Sequence, residues 1–367
     1  MPRPPAILQL LPALDAGGVE RGTLEIAEAI QAAGFRALVA SAGGRLVPAL
    51  EALGVRHITL PLATKSPLGI WRNAATLTRL VHEEGVAILH ARSRAPAWSA
   101  WLAARRTGAR FVTTYHGTYG EGFPGKRLYN SVMARGDRVI AISRHIADHI
   151  QSRHGVASRL IPRGVDLRAF DPALVAPERV ASLRAAWNLP EGAPVILLPA
   201  RLTRWKGQAV LIEAMADIPG AICVLAGDAQ GREAYVAELR ALAEARGVAL
   251  RLPGHVADMP AALLAADLVI HASTQPEAFG RTVIEAQAMG RVIIASDLGG
   301  PRETVADGVT GWLTPPGDAA ALAARIRAVL AETPEARAAM GEAARRQVPT
   351  MAAMQEATLA LYREWLG

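Results

Sequence analysis

Two glutamates, Glu277 and Glu285, stand eight positions apart in the stretch Glu277-Ala-Phe-Gly-Arg-Thr-Val-Ile-Glu285. Gly280 between them lets the backbone come close to a ligand, and Arg281–Met289 has helical character that ends at Gly290. A helix starting there presents free amides, which suit anionic or hydroxyl-bearing groups. Upstream, Arg201 and Lys206 occur in Arg201-Leu-Thr-Arg-Trp-Lys206-Gly-Gln, directly after the apolar run Val195–Ala200. Two cations at the carboxyl end of a strand, before a helix opening near Gly207, are what a diphosphate requires: charge neutralisation plus helix-start amides. A solvated basic loop would account for the cations alone. It does not account for a carboxylate pair in the same half of the chain, and the combination reads as a sugar-nucleotide site.

The elements that must hold these groups follow from hydrophobic pattern. Asp267–Ser273 and Arg291–Ser296 are short apolar runs of the kind that form buried parallel strands. With the helix between them they make a strand–loop–helix–strand unit, whose loop sits above the carboxyl ends of the strands, where open parallel sheets bind ligands. Before this unit come strand-like Val195–Ala200, Ala221–Ala226 and Ala249–Leu252, with helices from Gly207, over Arg232–Arg246 and over Met259–Ala266. The N-terminal half alternates in the same way. Its strands are Ala6–Leu11, Arg36–Ala42, Val55–Leu60, Ile88–Ala91, Phe111–Tyr115 and Arg138–Ile142, and its helices include Val19–Ala33, Pro67–Glu84 and Ala95–Thr107. Such alternation predicts an α/β protein with two Rossmann-like, doubly wound parallel sheets facing each other across a cleft. The expected domains are residues 1–170 and 171–349, with a linker and short helix in Arg163–Glu191. A C-terminal helix within 350–367 packs back toward the N-terminal domain.

Other residues are weighed against plainer explanations. Gly17-Gly18 follows the first strand and opens the first helix; it is not Gly-x-Gly-x-x-Gly, so it serves as a tight turn or as a place of close approach to a ligand. His116 follows Phe111–Tyr115, again at a strand's carboxyl end, and is expected to be exposed in the cleft rather than lodged in a core. Gly120–Lys126 has the outline of a P-loop, but Arg127 replaces the Ser or Thr that would hold magnesium, and both cations join a basic face instead. His145, Asp148 and His149 share a helical face, with His154 after them; without a His-Glu-x-x-His pattern a solvated face is the better reading. No Gly-x-Ser-x-Gly elbow occurs, and the single cysteine, Cys223, lies in an apolar run as a buried strand residue. Nucleophilic hydrolase chemistry and a disulfide framework are thereby excluded.

At 367 residues, half of them hydrophobic, the chain suits two domains with real cores. One cysteine fits a reducing compartment, and no stretch reaches the length of a membrane span. Ala6–Leu14 is interrupted by Pro12 and Asp15 and reads as a first strand rather than a signal peptide. The net charge of +7 is unevenly placed: residues 1–170 hold 22 Lys/Arg against 11 Asp/Glu, and the remainder 18 against 22. The basic half either faces an anionic partner or is simply a solvated basic face. Nucleic acid fits the charge, but no recognised binding motif or stacking platform supports it.

On these residues the chain resembles the retaining GT-B-fold glycosyltransferases of the group 1 family, over essentially its whole length. The Glu-x7-Glu signature at Glu277 and Glu285 carries the resemblance, with Gly-Gly-Pro-Arg-Glu at 299–303 and Gly308-Val-Thr-Gly-Trp312 after it. The resemblance implies that Glu285 binds the ribose hydroxyls of a nucleotide and Glu277 a hydroxyl of the donor sugar. Backbone around Phe279, Gly280, Arg281 and Thr282 would hold that sugar. Arg201 and Lys206 would bind the diphosphate, His116 would sit near the sugar, and Gly17-Gly18 at the diphosphate or acceptor end. His255 and Val256 would lie beside the base. Two positions depart from the family pattern: Arg163 stands where Asn is common, and Ala200 where Gly commonly precedes the arginine.

The implied activity is metal-independent transfer of a hexose or HexNAc unit from a UDP- or GDP-sugar to an acceptor hydroxyl, with retention of configuration. No cofactor beyond the donor and no metal is expected, and no Asp-x-Asp motif is present. The expected acceptor is a lipid-linked intermediate or glycan of lipopolysaccharide, glycolipid or other cell-envelope biosynthesis. The expected location is cytoplasmic, peripheral on the cytoplasmic face of the inner membrane through the basic half. Two alternatives stay open: a sugar-nucleotide 2-epimerase of the same architecture, and a non-catalytic nucleotide-sugar-binding protein.

Overall fold

The computed structural model describes residues 3–15, 17–120, 122 and 124–366. The chain opens with β1 (Ala6–Leu10), α1 (Gly18–Ala32), β2 (Arg36–Ser41), α2 (Val47–Ala52) and β3 (Arg56–Thr59). Then come α3 (Pro67–Glu84), β4 (Val86–Ala91), α4 (Arg94–Thr107), β5 (Arg110–Tyr115) and α5 (Pro124–Ser131). β6 (Arg138–Ala141), α6 (Arg144–His154) and β7 (Arg159–Leu160) complete a seven-stranded parallel sheet of order β3-β2-β1-β4-β5-β6-β7.

Strands in the middle of this sheet are apolar and fully buried because helices cover both faces; every residue of β1 is buried. The one polar residue of β1, Gln9, is hydrogen-bonded at both ends of its amide. Its amide donates to the Thr23 carbonyl (3.0 Å), and its oxygen accepts from Arg92 (2.7 Å). Of the Gly120–Lys126 stretch, Glu121 and Phe123 lie outside the described residues, while Lys126 and Arg127 fall in α5.

A second series begins with α7 (Pro177–Ala186), β8 (Val195–Pro199), α8 (Gln208–Met215), β9 (Ile222–Ala226) and α9 (Glu233–Ala245). It continues through β10 (Ala249–Gly254), α10 (Met259–Ala265), β11 (Leu268–His271), α11 (Arg281–Ala288) and β12 (Ile293–Ser296). α12 (Pro301–Thr304), β13 (Trp312–Thr314), α13 (Ala319–Ala331) and α14 (Pro334–Gln347) close it. The six strands are parallel, in the order β10-β9-β8-β11-β12-β13. Cys223 is fully buried in β9, and burial pushes its thiol up to about 12. Side-chain caps mark several helix starts: Asp258, Asp318 and Thr333 each accept an amide from the first turn that follows.

The last helix, α15 (Met351–Leu366), belongs to the first compact unit, which runs to Arg163 and resumes at Met351. Tyr362 is fully buried there and its hydroxyl meets His90 Nδ1 at 2.6 Å, while His90 Nε2 meets Thr114 Oγ1 at 2.7 Å. Trp365 lies under the guanidinium groups of Arg110 and Arg138. Gly164–Thr350 form the second unit, so the changeover falls seven residues before position 170. The reason is local: the Val165 amide donates to the Pro349 carbonyl (3.0 Å), and Phe170 packs on the second unit's core.

Candidate functional site

In the second sheet the strand order reverses between β8 and β11, and the loops after these two strands carry the charged residues. Arg201 and Lys206 follow β8; Ser273 to Glu277 follow β11. The Thr274 amide donates to the Trp205 carbonyl (2.8 Å) and ties the loops together. Gly207 has φ 75°, and a Cβ there would stand 1.9 Å from the Ala272 carbonyl oxygen. Only glycine lets the turn that carries Lys206 press this closely on the end of β11.

Lys206 Nζ pairs with Glu277 Oε1, and the other carboxylate oxygen takes His271 Nε2. Lys206 and Glu277 keep 13% and 11% of their side-chain surface exposed, so the pair is shielded from solvent. Burial, then the charge of Arg201, pushes Lys206 down to about 7. Contact with the Glu277 carboxylate works the other way and favours the ammonium. Burial and the Lys206 charge push His271 down to about 3, so the ring is neutral. A neutral ring facing a carboxylate carries its proton on Nε2 and donates it, an assignment made from the hydrogen-bond pattern. Ser273 Oγ lies 3.2 Å from the same nitrogen.

The backbone then turns toward α11. The Glu277 carbonyl accepts from the Gly300 amide (2.8 Å), which places the Gly299-Gly300 pair against this loop. Phe279 is buried, Gly280 has φ 85°, and α11 starts at Arg281 with no side-chain cap. Its first amides point out of the helix toward this loop, as at any helix start. Glu285, 7% exposed, lies one turn on, with Arg281 Nε 3.7 Å from its Oε1. Arg201, Lys206, Glu277, Phe279, Gly280, Arg281, Thr282 and Glu285 thus gather at the carboxyl end of the central strands of one sheet. A carboxylate, cations and open amides there can bind a diphosphate and sugar hydroxyls together.

The remaining candidates stand elsewhere. His255 is exposed after β10, and with Val256 it lines a hollow of about 530 Å³ beside Arg179, Trp187 and Asp258. In the first unit, Gly17 (φ 144°) and Gly18 begin α1, and the Gly18 carbonyl accepts from Arg163 (2.5 Å). Arg163 is buried, and its guanidinium fills the space above Gly22. The departure at position 163 is therefore used to lock the turn at the start of α1. His116 is not the exposed residue expected from its place after β5. It is partly buried, and its Nε2 is closed off from solvent with no hydrogen-bond partner among the described residues. Burial and the charges of Arg163 and Arg92 hold it well below the ordinary imidazole range.

His271, which meets the Glu277 carboxylate, and Ser273, which meets His271, escape the sequence reading. The signal was available: His271 is the last residue of a buried strand, as His116 is the first residue after β5, but it sits inside an apolar run that reads as core.

Comparison with known proteins gives the family. Residues 180–347 match the family described as Glycosyl transferases group 1, and residues 16–169 match Glycosyltransferase Family 4. A D-inositol 3-phosphate glycosyltransferase of Jonesia denitrificans is 30% identical over 357 residues, covering 82% of this chain and 80% of that protein. This chain belongs to the group 1 glycosyl transferases. A glycosyltransferase from Rickettsia africae has the same fold, with a TM-score of 0.93, 34% identity and 99% of both chains covered. Anabaena HepE, crystallised with UDP and glucose, aligns at a TM-score of 0.87 with 26% identity, over 98% of this chain and 99% of that one. The architecture of this group 1 member is GT-B, with two Rossmann-like parallel-sheet domains. The chain spans about 60% of the length of some curated relatives, such as the D-inositol 3-phosphate glycosyltransferase of Xylanimonas cellulosilytica (33% identical, 63% of this chain covered).

Proposed function

We propose that this group 1 member is a retaining, metal-independent glycosyltransferase that uses a nucleotide diphosphate sugar. The observation that carries the reading is the arrangement of Lys206, Glu277 and the open start of α11 at the reversal of the second sheet. Glu285 takes the ribose hydroxyls, Glu277 a donor-sugar hydroxyl, and Arg201 with Lys206 the diphosphate. His255 and Val256 flank the base.

The reaction breaks the bond between the sugar's anomeric carbon and the diphosphate oxygen while the acceptor oxygen bonds to that carbon from the same face. The departing phosphate oxygen receives the acceptor's hydroxyl proton. Negative charge developing on the diphosphate is met by Arg201, Lys206 and helix-start amides, fixed in place before the reaction. HepE's complexes with UDP and UDP-glucose support a UDP-sugar. A Mycolicibacterium smegmatis relative, 30% identical, is a GDP-mannose-dependent phosphatidylinositol monomannoside mannosyltransferase; it supports a lipid-linked acceptor in envelope glycan synthesis. Among the described residues no helix is long and apolar enough to cross a membrane. The basic first unit is the acceptor side, placed against an anionic cytoplasmic membrane face.

A thermal-shift screen against UDP, GDP, ADP, CMP and their sugars tests this reading. One nucleotide family should raise the midpoint, and Glu285→Ala or Lys206→Ala should abolish the rise. With that donor, product anomers read by proton NMR should keep the donor configuration, and EDTA should leave the rate unchanged. No response to any nucleotide at millimolar concentration would remove the proposal.

A further inference from the structure

Glu277 is held from two sides, and the two holds differ in kind. Lys206 reaches one carboxylate oxygen from the turn after β8, on a flexible four-carbon stem. His271 reaches the other oxygen from the last position of β11, with its side chain 4% exposed. β11 is paired on both sides, to β8 and to β12, and His271 itself stands in register with Ala295. We infer that His271 is a positioning residue for Glu277: it keeps one carboxylate oxygen occupied and the group aimed while Lys206 turns to the diphosphate, so that the other oxygen is presented to the donor sugar. The inference rests on the glycosyl-transfer reading and adds to it the group that steadies the sugar contact.

Three observations carry it. The first is the number of donors. Among the described residues, Lys206 and His271 are the side chains that meet the Glu277 carboxylate, which is 11% exposed. A carboxylate so enclosed and left without a donor takes up a proton or swings away. Once Lys206 neutralises a diphosphate, His271 is the hold that remains.

The second is the character of that hold. The ring is neutral and gives its Nε2 hydrogen to the carboxylate. A neutral donor orients Glu277 without cancelling its charge, whereas the ammonium of Lys206 competes with a sugar hydroxyl for the same oxygen.

The third is that the ring is itself fixed. Ser273 Oγ lies 3.2 Å from Nε2, and Ser296 Oγ, at the end of β12, donates to the His271 carbonyl (3.3 Å). Both serines are buried. Glu277 stands on a loop, and its steadier partner stands on a central strand, where side chains are placed more precisely than on loops. Misplacing a contacting group by about 1 Å can cost about 10²-fold in rate, so an anchor of this kind has a measurable effect.

The test is calorimetric titration of the full chain with UDP and UDP-glucose, and with GDP and GDP-mannose. Within each pair, the ratio of the two Kd values measures what the sugar adds. His271→Phe keeps the bulk of the ring and removes the donor. It should shift that ratio against the sugar by about tenfold, while the Kd of the bare nucleotide stays within about threefold. His271→Gln, whose amide nitrogen can stand where Nε2 stands, should restore most of the loss. His271→Asn, too short to reach the carboxylate, should behave as His271→Phe does and decides the matter if the phenylalanine variant does not fold. Added to Glu277→Gln, His271→Phe should change the ratio little further, because both act on one contact. A ratio unchanged in the variants without the donor, equal losses in the Phe and Gln variants, or additive losses with Glu277→Gln would each overturn the inference. If nucleotide binding is intact in those cases, the glycosyl-transfer reading stands. Wild-type protein that binds none of the four nucleotides would remove that reading and the inference with it.

Discussion

Lys206 and Glu277, from loops that follow two neighbouring strands, meet as an ion pair that solvent barely reaches. On the proposed assignment the pair is in competition: a diphosphate would draw the ammonium, and the released carboxylate oxygen would become available to a sugar hydroxyl. Replacing either partner separates these roles. Lys206→Met should lower kcat by about 10²–10³ through lost charge stabilisation, and should weaken nucleotide binding as well. Glu277→Gln keeps the shape and should reduce transfer while nucleotide affinity changes by only a few-fold. Either variant leaves a polar group without its partner and should be destabilised by about 1–3 kcal/mol. Initial rates, calorimetry and urea midpoints measure the three effects, and near-normal kcat in Lys206→Met would refute the assignment.

The low Lys206 value gives nucleotide binding a pH dependence of definite sign. In the free protein the amine is pushed down to about 7, so above that pH it is increasingly neutral. A bound diphosphate favours the ammonium and raises its pKa, so binding takes up a proton. Affinity should fall from pH 7.5 to 9, by up to about tenfold per unit. Lys206→Arg, which stays charged, should flatten the profile. Titration in two buffers of different ionisation heat counts the protons directly.

Much of this site is legible in the sequence because its features are local. Glu277, Gly280 and Glu285 lie on one continuous loop and helix, and Arg201 and Lys206 on another. The alternating apolar runs give most strands of the two sheets and the full extent of α3, while the short edge strands β7 and β13 escape them. Their partners are legible only through space. His271 reaches Glu277 across a turn, and Arg163 reaches Gly18 from 145 residues away. The exposure expected for His116 fails for a related reason: a strand's carboxyl end predicts the loop, and the tertiary packing of Arg92 and Arg163 around it decides the burial.

The Arg163 lock predicts a sharp local intolerance. A Cβ on Gly22 would stand 2.1 Å from Arg163 Nη1, inside van der Waals contact. Gly22→Ala should displace the guanidinium, break its bond to the Gly18 carbonyl and destabilise the protein by about 1–3 kcal/mol. Combined with Arg163→Asn, which brings in the residue common elsewhere in the family, the clash disappears and part of the loss should return. A double-mutant cycle on thermal midpoints tests this, and strict additivity of the two changes would contradict it.

Two buried histidines and the partly buried His116, all held neutral, make the fold acid-sensitive in a specific window. Burial holds His271 at about 3 and keeps His90 and His116 well below the ordinary value of about 6.5. Below pH 6.5 the unfolded chain binds protons that the folded chain refuses, so stability falls as pH falls, by up to about 1.4 kcal/mol per unit for each histidine. Carboxylates held low, Glu84 and Asp258 among them, lose their contribution only at more acid pH, through their own depressed values. Between pH 6 and 5 the slope of unfolding free energy therefore reports mainly the histidines, with a smaller share from half-exposed His57. Urea midpoints across that interval should show a slope of two to three protons, on the order of 3–4 kcal/mol per unit. His116→Asn should reduce it by about one proton. The same slope in that variant would mean that His116 already carries its proton in the folded state.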